Sequence, residues 1–352
     1  MHKTDSKREQ FDTPARVLEE IRTLYSDPDP DLSTRLIREL IVHALKCRRD
    51  DLEVLDLKVL SRAMAEFRYA ARTFMPYRDR RKVSIFGSAR TPEDDPYYKM
   101  AVEFAHMLAE EGFMVITGAA EGIMKAGNVG AGKDASFGVN ILLPFEQAPN
   151  PVIGDDPKLI TFKYFFTRKL FFVMEASAVA LFPGGFGTHD EGFETMTLIQ
   201  TGKAPPMPLL FVELPGGTYW SSFDQFVRDQ LLGRKLISQR DLVLYKIVHS
   251  PREAVDYIKF FYSTYHSLRF VRDRVVLRLE KELPDDAVHE LAHEFSDLVK
   301  KGTVEKSNAL PEETNEPELL DKHRLVFALN RQSPARLYEM VLKINELGAQ
   351  KR

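Results

Sequence analysis

The spacing of apolar residues changes twice along this chain, and the changes divide it into three regions. From Thr13 to Phe74 they recur at helical spacing, as in Val17, Leu18, Ile21 and Leu24, then Leu36, Leu40, Ile41 and Ala44, then Leu60, Ala63, Met64 and Phe67; Pro28 and Pro30 part the first helix from the second. From residue 82 to about 268, short apolar runs at 83–86, 115–117, 139–143, 179–182, 209–212 and 242–247 alternate with amphipathic helical stretches. Strands that alternate with helices pair in parallel and are covered on both faces, so the pattern predicts an α/β fold with a Rossmann-like doubly wound parallel sheet. Beyond Phe270 the spacing predicts a strand at 275–279, a helix at 285–301, a polar stretch at 302–318, a strand at 325–329 and a helix at 334–347. The expected division is a helical N-terminal region over 1–78, the α/β domain over 79–270 and a small α+β C-terminal domain over 271–352.

In a doubly wound sheet, ligands bind outside the carboxyl ends of the strands. Three of those ends carry glycine or small residues, Gly87-Ser88-Ala89, Gly118-Ala119-Ala120 and Pro183-Gly184-Gly185, and the three loops are expected to converge on one crevice. The third is the most informative. Ala178 to Glu191 reads A-V-A-L-F-P-G-G-F-G-T-H-D-E: an apolar strand, a glycine turn, then a helix expected to open at Thr188. Gly184, Gly185 and Gly187 let the backbone approach a ligand closely, and the unpaired N–H groups and positive dipole end of the helix favour an anion such as phosphate. Thr188-x-x-Glu191 also reads as a capping box, which would make Glu191 structural, but a cap needs one glycine at most and this turn has three.

The first loop offers the Ser88 hydroxyl and Arg90, yet it is not G-x-G-x-x-G and lacks an acid about 20 residues on to hold a ribose, so no dinucleotide fingerprint is present. In the second loop, Met124 reads either as a flat apolar contact for a base or as a core filler. Arg168 and Lys169 open an apolar helix, where the dipole opposes a cation by about 0.3 to 1 kcal/mol; the pair fits either a receiver for an anion or a solvated surface.

Composition narrows the chemistry further. At 352 residues, 44% hydrophobic and 29% charged, the chain has the balance of a soluble globular protein. A net charge of -3 and a basic run, Arg78 to Lys82, diluted by Asp79 leave no strongly cationic face for nucleic acid. No apolar run approaches the roughly 20 residues of a membrane span, so neither nucleic acid nor membrane is an expected partner. A single cysteine, Cys47, excludes an internal disulfide and a cysteine zinc cage, and the polar start Met1–Gln10 has no apolar export segment; a cytoplasmic location is expected. His289-Glu-Leu-Ala-His293 matches the zinc motif H-E-x-x-H. At about 100° per residue, however, both histidines fall off the apolar face of Val288, Leu291, Ala292, Phe295, Leu298 and Val299, toward water, so no metal is expected.

Phe86-Gly-Ser-Ala-Arg90, Thr117-Gly-Ala-Ala-Glu-Gly-Ile-Met124, Arg168-Lys169, Pro183-Gly-Gly-Phe-Gly-Thr-His-Asp-Glu191 and Thr197-Leu-Ile-Gln-Thr-Gly-Lys203 together resemble the LOG family. Its members are cytokinin riboside 5'-monophosphate phosphoribohydrolases and related nucleotide 5'-monophosphate nucleosidases, often mislabelled lysine decarboxylases. The resemblance covers about Lys82 to Trp220. It implies that Arg168 and Glu191 are catalytic, that the turn from Gly184 to Thr188 holds the phosphate, and that no metal or organic cofactor is needed. It further implies hydrolysis of a nucleoside 5'-monophosphate, of the AMP or cytokinin riboside monophosphate type, to free base and ribose 5-phosphate, with Glu194 placed to hold a ribose hydroxyl. A homodimer with the site near the subunit boundary is implied as well. Where small members have Leu-Glu before the motif glutamate, this chain has His189-Asp190, and Phe166-Thr167 replaces the more usual polar pair before the arginine. A non-catalytic nucleotide-binding or carrier protein using the same loops is the alternative. Pyridoxal-phosphate decarboxylation lacks a convincing Schiff-base lysine, since Lys169 stands beside Arg168 in an apolar helix.

Overall fold

The computed structural model describes residues 13–143, 148–330 and 334–350. The polar start, Met1–Gln10, lies outside them. Two compact units divide the chain, 1–65 and 66–352. In the first, α1 (Pro14–Ser26) and α2 (Leu32–Arg49) form at the expected apolar spacing. Asp31 caps α2 by accepting the Thr34 N–H at 2.8 Å. Arg38 donates to the Leu24 and Asp27 carbonyls, satisfying acceptors that the end of α1 leaves open. Helix α3 (Val54–Phe74) begins in the first unit and ends in the second.

The second unit contains seven parallel strands: β1 (Lys82–Phe86), β2 (Met114–Thr117), β3 (Ser136–Ile141), β4 (Leu159–Phe162), β5 (Ala178–Leu181), β6 (Leu209–Val212) and β7 (Lys246–Val248). Their order is β4-β3-β2-β1-β5-β6-β7. Helices α4 (Pro96–Glu110), α5 (Ile123–Ala131), α6 (Phe165–Met174), α7 (Phe186–Gln200) and α8 (Tyr219–Phe226) lie between them in the chain, and α9 (Pro251–Phe261) follows β7. Every residue of β1, β2, β5 and β6 is buried, which is why these strands read as continuous apolar runs rather than alternating ones. The chain winds outward from β1 to β4, then returns to place β5 on the other side of β1. The loops after β1 and β5 leave the sheet at this switch point, where a crevice opens.

The fold is thus the expected doubly wound α/β sheet, with local differences. β4 was not expected, because its four residues, flanked by Lys163, Tyr164 and Phe165, carry no period of their own. β7 begins at Lys246 rather than 242, since Gln239–Leu244 is a 3-10 helix whose start is fixed by Asp241 accepting the Ser238 N–H at 2.7 Å. The second sheet, antiparallel in the order β10-β11-β9-β8, consists of β8 (Tyr265–Val271), β9 (Arg274–Leu279), β10 (Val299–Ser307) and β11 (His323–Leu329). It therefore starts at Tyr265, ahead of the expected boundary after residue 270. Helix α10 (Asp285–Glu294) is shorter than expected, and β10 takes up the polar positions beyond it. As an edge strand it is mostly exposed and its register shifts along β11, so it shows no apolar alternation.

The last helix, α11 (Pro334–Ala349), packs Tyr338, Val341 and Ile344 into a core shared with Ile199 of α7, Phe261 of α9 and Leu277 of β9. The far end of α7 is therefore seated in the core beneath the second sheet. In that same domain Arg278 donates to Glu313 Oε1 at 2.7 and 2.8 Å, and Arg324 donates to Oε2 at 3.1 Å, all three side chains being buried. The two histidines of the H-E-x-x-H run are exposed on α10. Among the described residues, no three His, Cys, Asp or Glu side chains are grouped to hold a metal ion, and no helix is long and apolar enough to cross a membrane.

Candidate active site at the sheet switch point

Backbone hydrogen bonds join the three loops. The Ser88 N–H donates to the Pro183 carbonyl at 3.1 Å, and the Ile123 N–H at the start of α5 donates to the Ser88 carbonyl at 3.0 Å. The glycines are what allow this closeness. A Cβ on Gly184 would lie 2.1 Å from Thr188 Oγ1 and 2.9 Å from the Ser88 nitrogen. On Gly118 it would lie 2.6 Å from both Arg168 Nη2 and Met124 Sδ, and on Gly87 it would lie 2.7 Å from the Ile123 side chain. Ala119 holds φ at +61°, a conformation that costs an L residue roughly 1 kcal/mol or more. It is kept there by its N–H donating to Thr117 Oγ1 at 3.1 Å and by its carbonyl accepting the Asn150 N–H at 2.8 Å.

A cavity of about 1050 Å³ lies between the loops. Gly87, Ser88, Gly118, Met124, Arg168, Gly185, Gly187, Thr188 and Glu191 all line it, so Arg168 and Glu191 share one cavity. Gly184 sits behind the turn, packed on Thr188 and Ser88. Helix α7 opens at Phe186, two residues before the expected Thr188, with Gly185 as its N-cap. The capping box expected from Thr188-x-x-Glu191 is not formed, because both residues already lie inside the helix and no side chain caps it. Glu194 is not among the lining residues; its carboxylate lies 2.8 Å from Lys169 Nζ, which also contacts Asp190 at 2.9 Å.

Glu191 is only 6% exposed, and its Oε2 has no hydrogen-bond partner. A buried carboxylate oxygen without a donor is costly to leave and is an acceptor waiting for a ligand. Burial pushes the carboxyl up to about 7, offset in part by the cations Lys169 and Arg168. Burial likewise draws Arg168 down to about 10 while Glu191 supports its charge, so the guanidinium remains a cation at neutral pH. Its Nε donates to the Val139 carbonyl at 2.8 Å, and its carbon lies 5.0 Å from the centre of the Phe172 ring. Those contacts fix its direction. A raised carboxyl beside a fixed cation in one cleft is the pattern expected of a reacting site rather than of a surface ion pair.

Two side chains without an assigned role from sequence also reach the turn. His189 Nε2 lies 2.7 Å from the Tyr219 hydroxyl, and that hydroxyl donates to the Gly184 carbonyl. Only a signal linking positions 30 apart would have paired them; the replacement of Leu-Glu by His189-Asp190 in the resemblance was the one sequence cue.

A parallel sheet with its switch point at a glycine turn, a helix start and a buried acid defines a doubly wound α/β protein with a candidate small-ligand site at the strand ends. Residues 116–258 match a family described as "Possible lysine decarboxylase". A cytokinin riboside 5'-monophosphate phosphoribohydrolase of Arabidopsis thaliana is 29% identical over 136 residues, which cover 38% of this chain and 63% of that protein. The chain thus spans a little under two thirds of the length of the curated relative it matches. Over this segment the chain is similar to the LOG family. A molybdenum cofactor binding protein from Rippkaea orientalis is similar in structure at 21% identity and a TM-score of 0.36, covering 51% of this chain and 96% of its own. A molybdenum cofactor carrier protein from Chlamydomonas reinhardtii, at 16% identity, has the same TM-score and coverages. The fold assignment stands on the strand order itself.

Proposed function

We propose that the protein hydrolyses the N-glycosidic bond of a nucleoside 5'-monophosphate, such as AMP or a cytokinin riboside monophosphate, to free base and ribose 5-phosphate. The carrying observation is Glu191 Oε2, buried and unpartnered on the wall of a cavity that also holds the amide-rich start of α7 and the Arg168 guanidinium. The 5'-phosphate docks on Gly185 to Thr188, which fixes the ribose relative to the acid. As the C1'–N bond breaks, positive charge develops on the sugar, and the Glu191 carboxylate stabilises it and orients water for attack at C1'. The attacking water keeps one hydrogen as the new C1' hydroxyl and releases the other, the departing base takes up one proton, and Arg168 balances negative charge on the phosphate or the base. Glu194 acts indirectly, through Lys169, rather than on a ribose hydroxyl.

A homodimer is part of the same reading. Phe166, Leu170 and Met174, spaced four apart on α6, are 57%, 46% and 47% exposed, and Phe186 on the cavity wall is 96% exposed. Such a stripe beside a site favours burial against a second copy; light scattering on the purified protein tests it, and a monomer at micromolar concentration rejects it. The function is tested by incubating the protein with AMP and other monophosphates and separating free base by chromatography. Release of base supports hydrolysis, whereas tight binding without release makes the protein a nucleotide carrier.

A further inference from the structure

We propose that Tyr219 and His189 form a positioning strap that sets the anion-binding face of the glycine turn. This rests on the turn being an anion site, but not on the site being catalytic. Gly184 and Gly185 are adjacent, and a peptide flanked by two glycines has little intrinsic preference for which way its carbonyl points. Here the Gly184 carbonyl accepts the Tyr219 O–H. The carbonyl of one trans peptide and the following N–H point in opposite directions, so this bond directs the Gly185 N–H away from Tyr219. Gly185 lines the cavity and Tyr219 does not. The tyrosine therefore aims the first free donor of the turn at the ligand.

His189 completes the arrangement. Tyr219 has one proton, already given to Gly184, so the 2.7 Å contact is the His189 Nε2–H donating to the phenolic oxygen. This assigns the neutral Nε2–H tautomer from the network, and burial, which lowers the imidazole's proton affinity, agrees with it. The ring is held by Trp220 and Phe223, at 5.5 and 5.7 Å between centroids. Tyr219 is itself anchored to the sheet. Glu213, fully buried just beyond β6, accepts the Trp220 and Ser221 N–H groups at 2.8 and 3.2 Å, and Trp220 stacks on Phe211 of β6 at 4.4 Å. The turn leaving β5 is in this way tied through Tyr219 and Trp220 to the neighbouring strand.

Inorganic phosphate is the probe, titrated calorimetrically into the wild-type chain, Tyr219→Phe, His189→Leu and His189→Gln, with AMP kinetics and thermal midpoints alongside. Loss of the hydroxyl is expected to weaken phosphate binding by about tenfold, and to raise KM for AMP by a similar factor with kcat within about twofold. His189→Leu is expected to lose about threefold, and His189→Gln, which retains an N–H donor, to recover most of that loss. A merely structural role would lower the thermal midpoint and leave phosphate affinity unchanged. Phosphate affinity of Tyr219→Phe within twofold of wild type overturns the strap, as does a wild-type chain that binds no phosphate. If phosphate binding falls as expected while the wild type releases no base from AMP, the strap stands and the hydrolytic reading falls.

Discussion

Replacing Glu191 by glutamine exchanges a buried carboxyl for a neutral group of nearly the same shape, and the structure sets the size of the effect. Burial raises this carboxyl from an ordinary value of 4.5 to about 7. At 1.36 kcal/mol per pH unit, the ionised form costs the folded state about 3 kcal/mol. Because the folded chain holds this proton more tightly than the unfolded chain, the wild type is favoured below pH 4.5, loses stability as pH rises through the interval from 4.5 to 7, and is flat above it. The stability of Glu191→Gln relative to wild type should therefore rise by about 2 to 3 kcal/mol between pH 5 and pH 8. Trp220, the single tryptophan, is buried in the α/β domain and reports unfolding of that domain in urea by its fluorescence. The same variant should lose turnover by roughly 10²-fold or more while still binding nucleotide. A stability difference that does not change with pH would refute the burial argument, and unchanged turnover would remove Glu191 from the chemistry.

Wild-type kcat/KM is expected to climb with a midpoint near 7, following ionisation of Glu191; Arg168→Ala removes a cation that supports this charge and should move the midpoint upward, as a pH–rate profile would show. Gly118→Ala drives a methyl to within 2.6 Å of Arg168 Nη2 and Met124 Sδ, so it should displace the guanidinium and weaken AMP binding about tenfold, measured by titration. Glu313→Ala removes the carboxylate shared by the buried Arg278 and Arg324, leaving Arg278 only Glu316, and should cost about 3 kcal/mol, visible as a lowered thermal midpoint, while turnover per folded molecule is unchanged.

The candidate site was legible in sequence wherever its chemistry depends on residues close along the chain. Ala178 to Glu191 announces a strand, a turn and a helix start in fourteen residues, and the three small-residue loops after β1, β2 and β5 meet as strand-end geometry requires. The local cap reading failed there because the four-residue pattern does not reveal that the helix begins at Phe186. One helical turn beyond Glu191 puts Glu194 on the same side of α7, where Lys169 from α6, distant in sequence, engages it at 2.8 Å. Elements without an apolar period, β4 and β10, were invisible because pairing with neighbouring strands, not their own composition, makes them strands.

By itself, the amino-acid order determined the alternation of strand and helix, the buried character of the central strands and the small-residue loops at the strand ends, since each follows from local spacing and side-chain chemistry. Only the folded chain decided that Arg168 and Glu191 face one cavity, that the Glu191 oxygen lacks a donor, and that Tyr219 restrains the Gly184 carbonyl. Those facts depend on segments distant in sequence being brought within a few ångströms. They also depend on the exclusion of water from a shared interior, which raises a carboxyl that would ionise freely on an exposed helix.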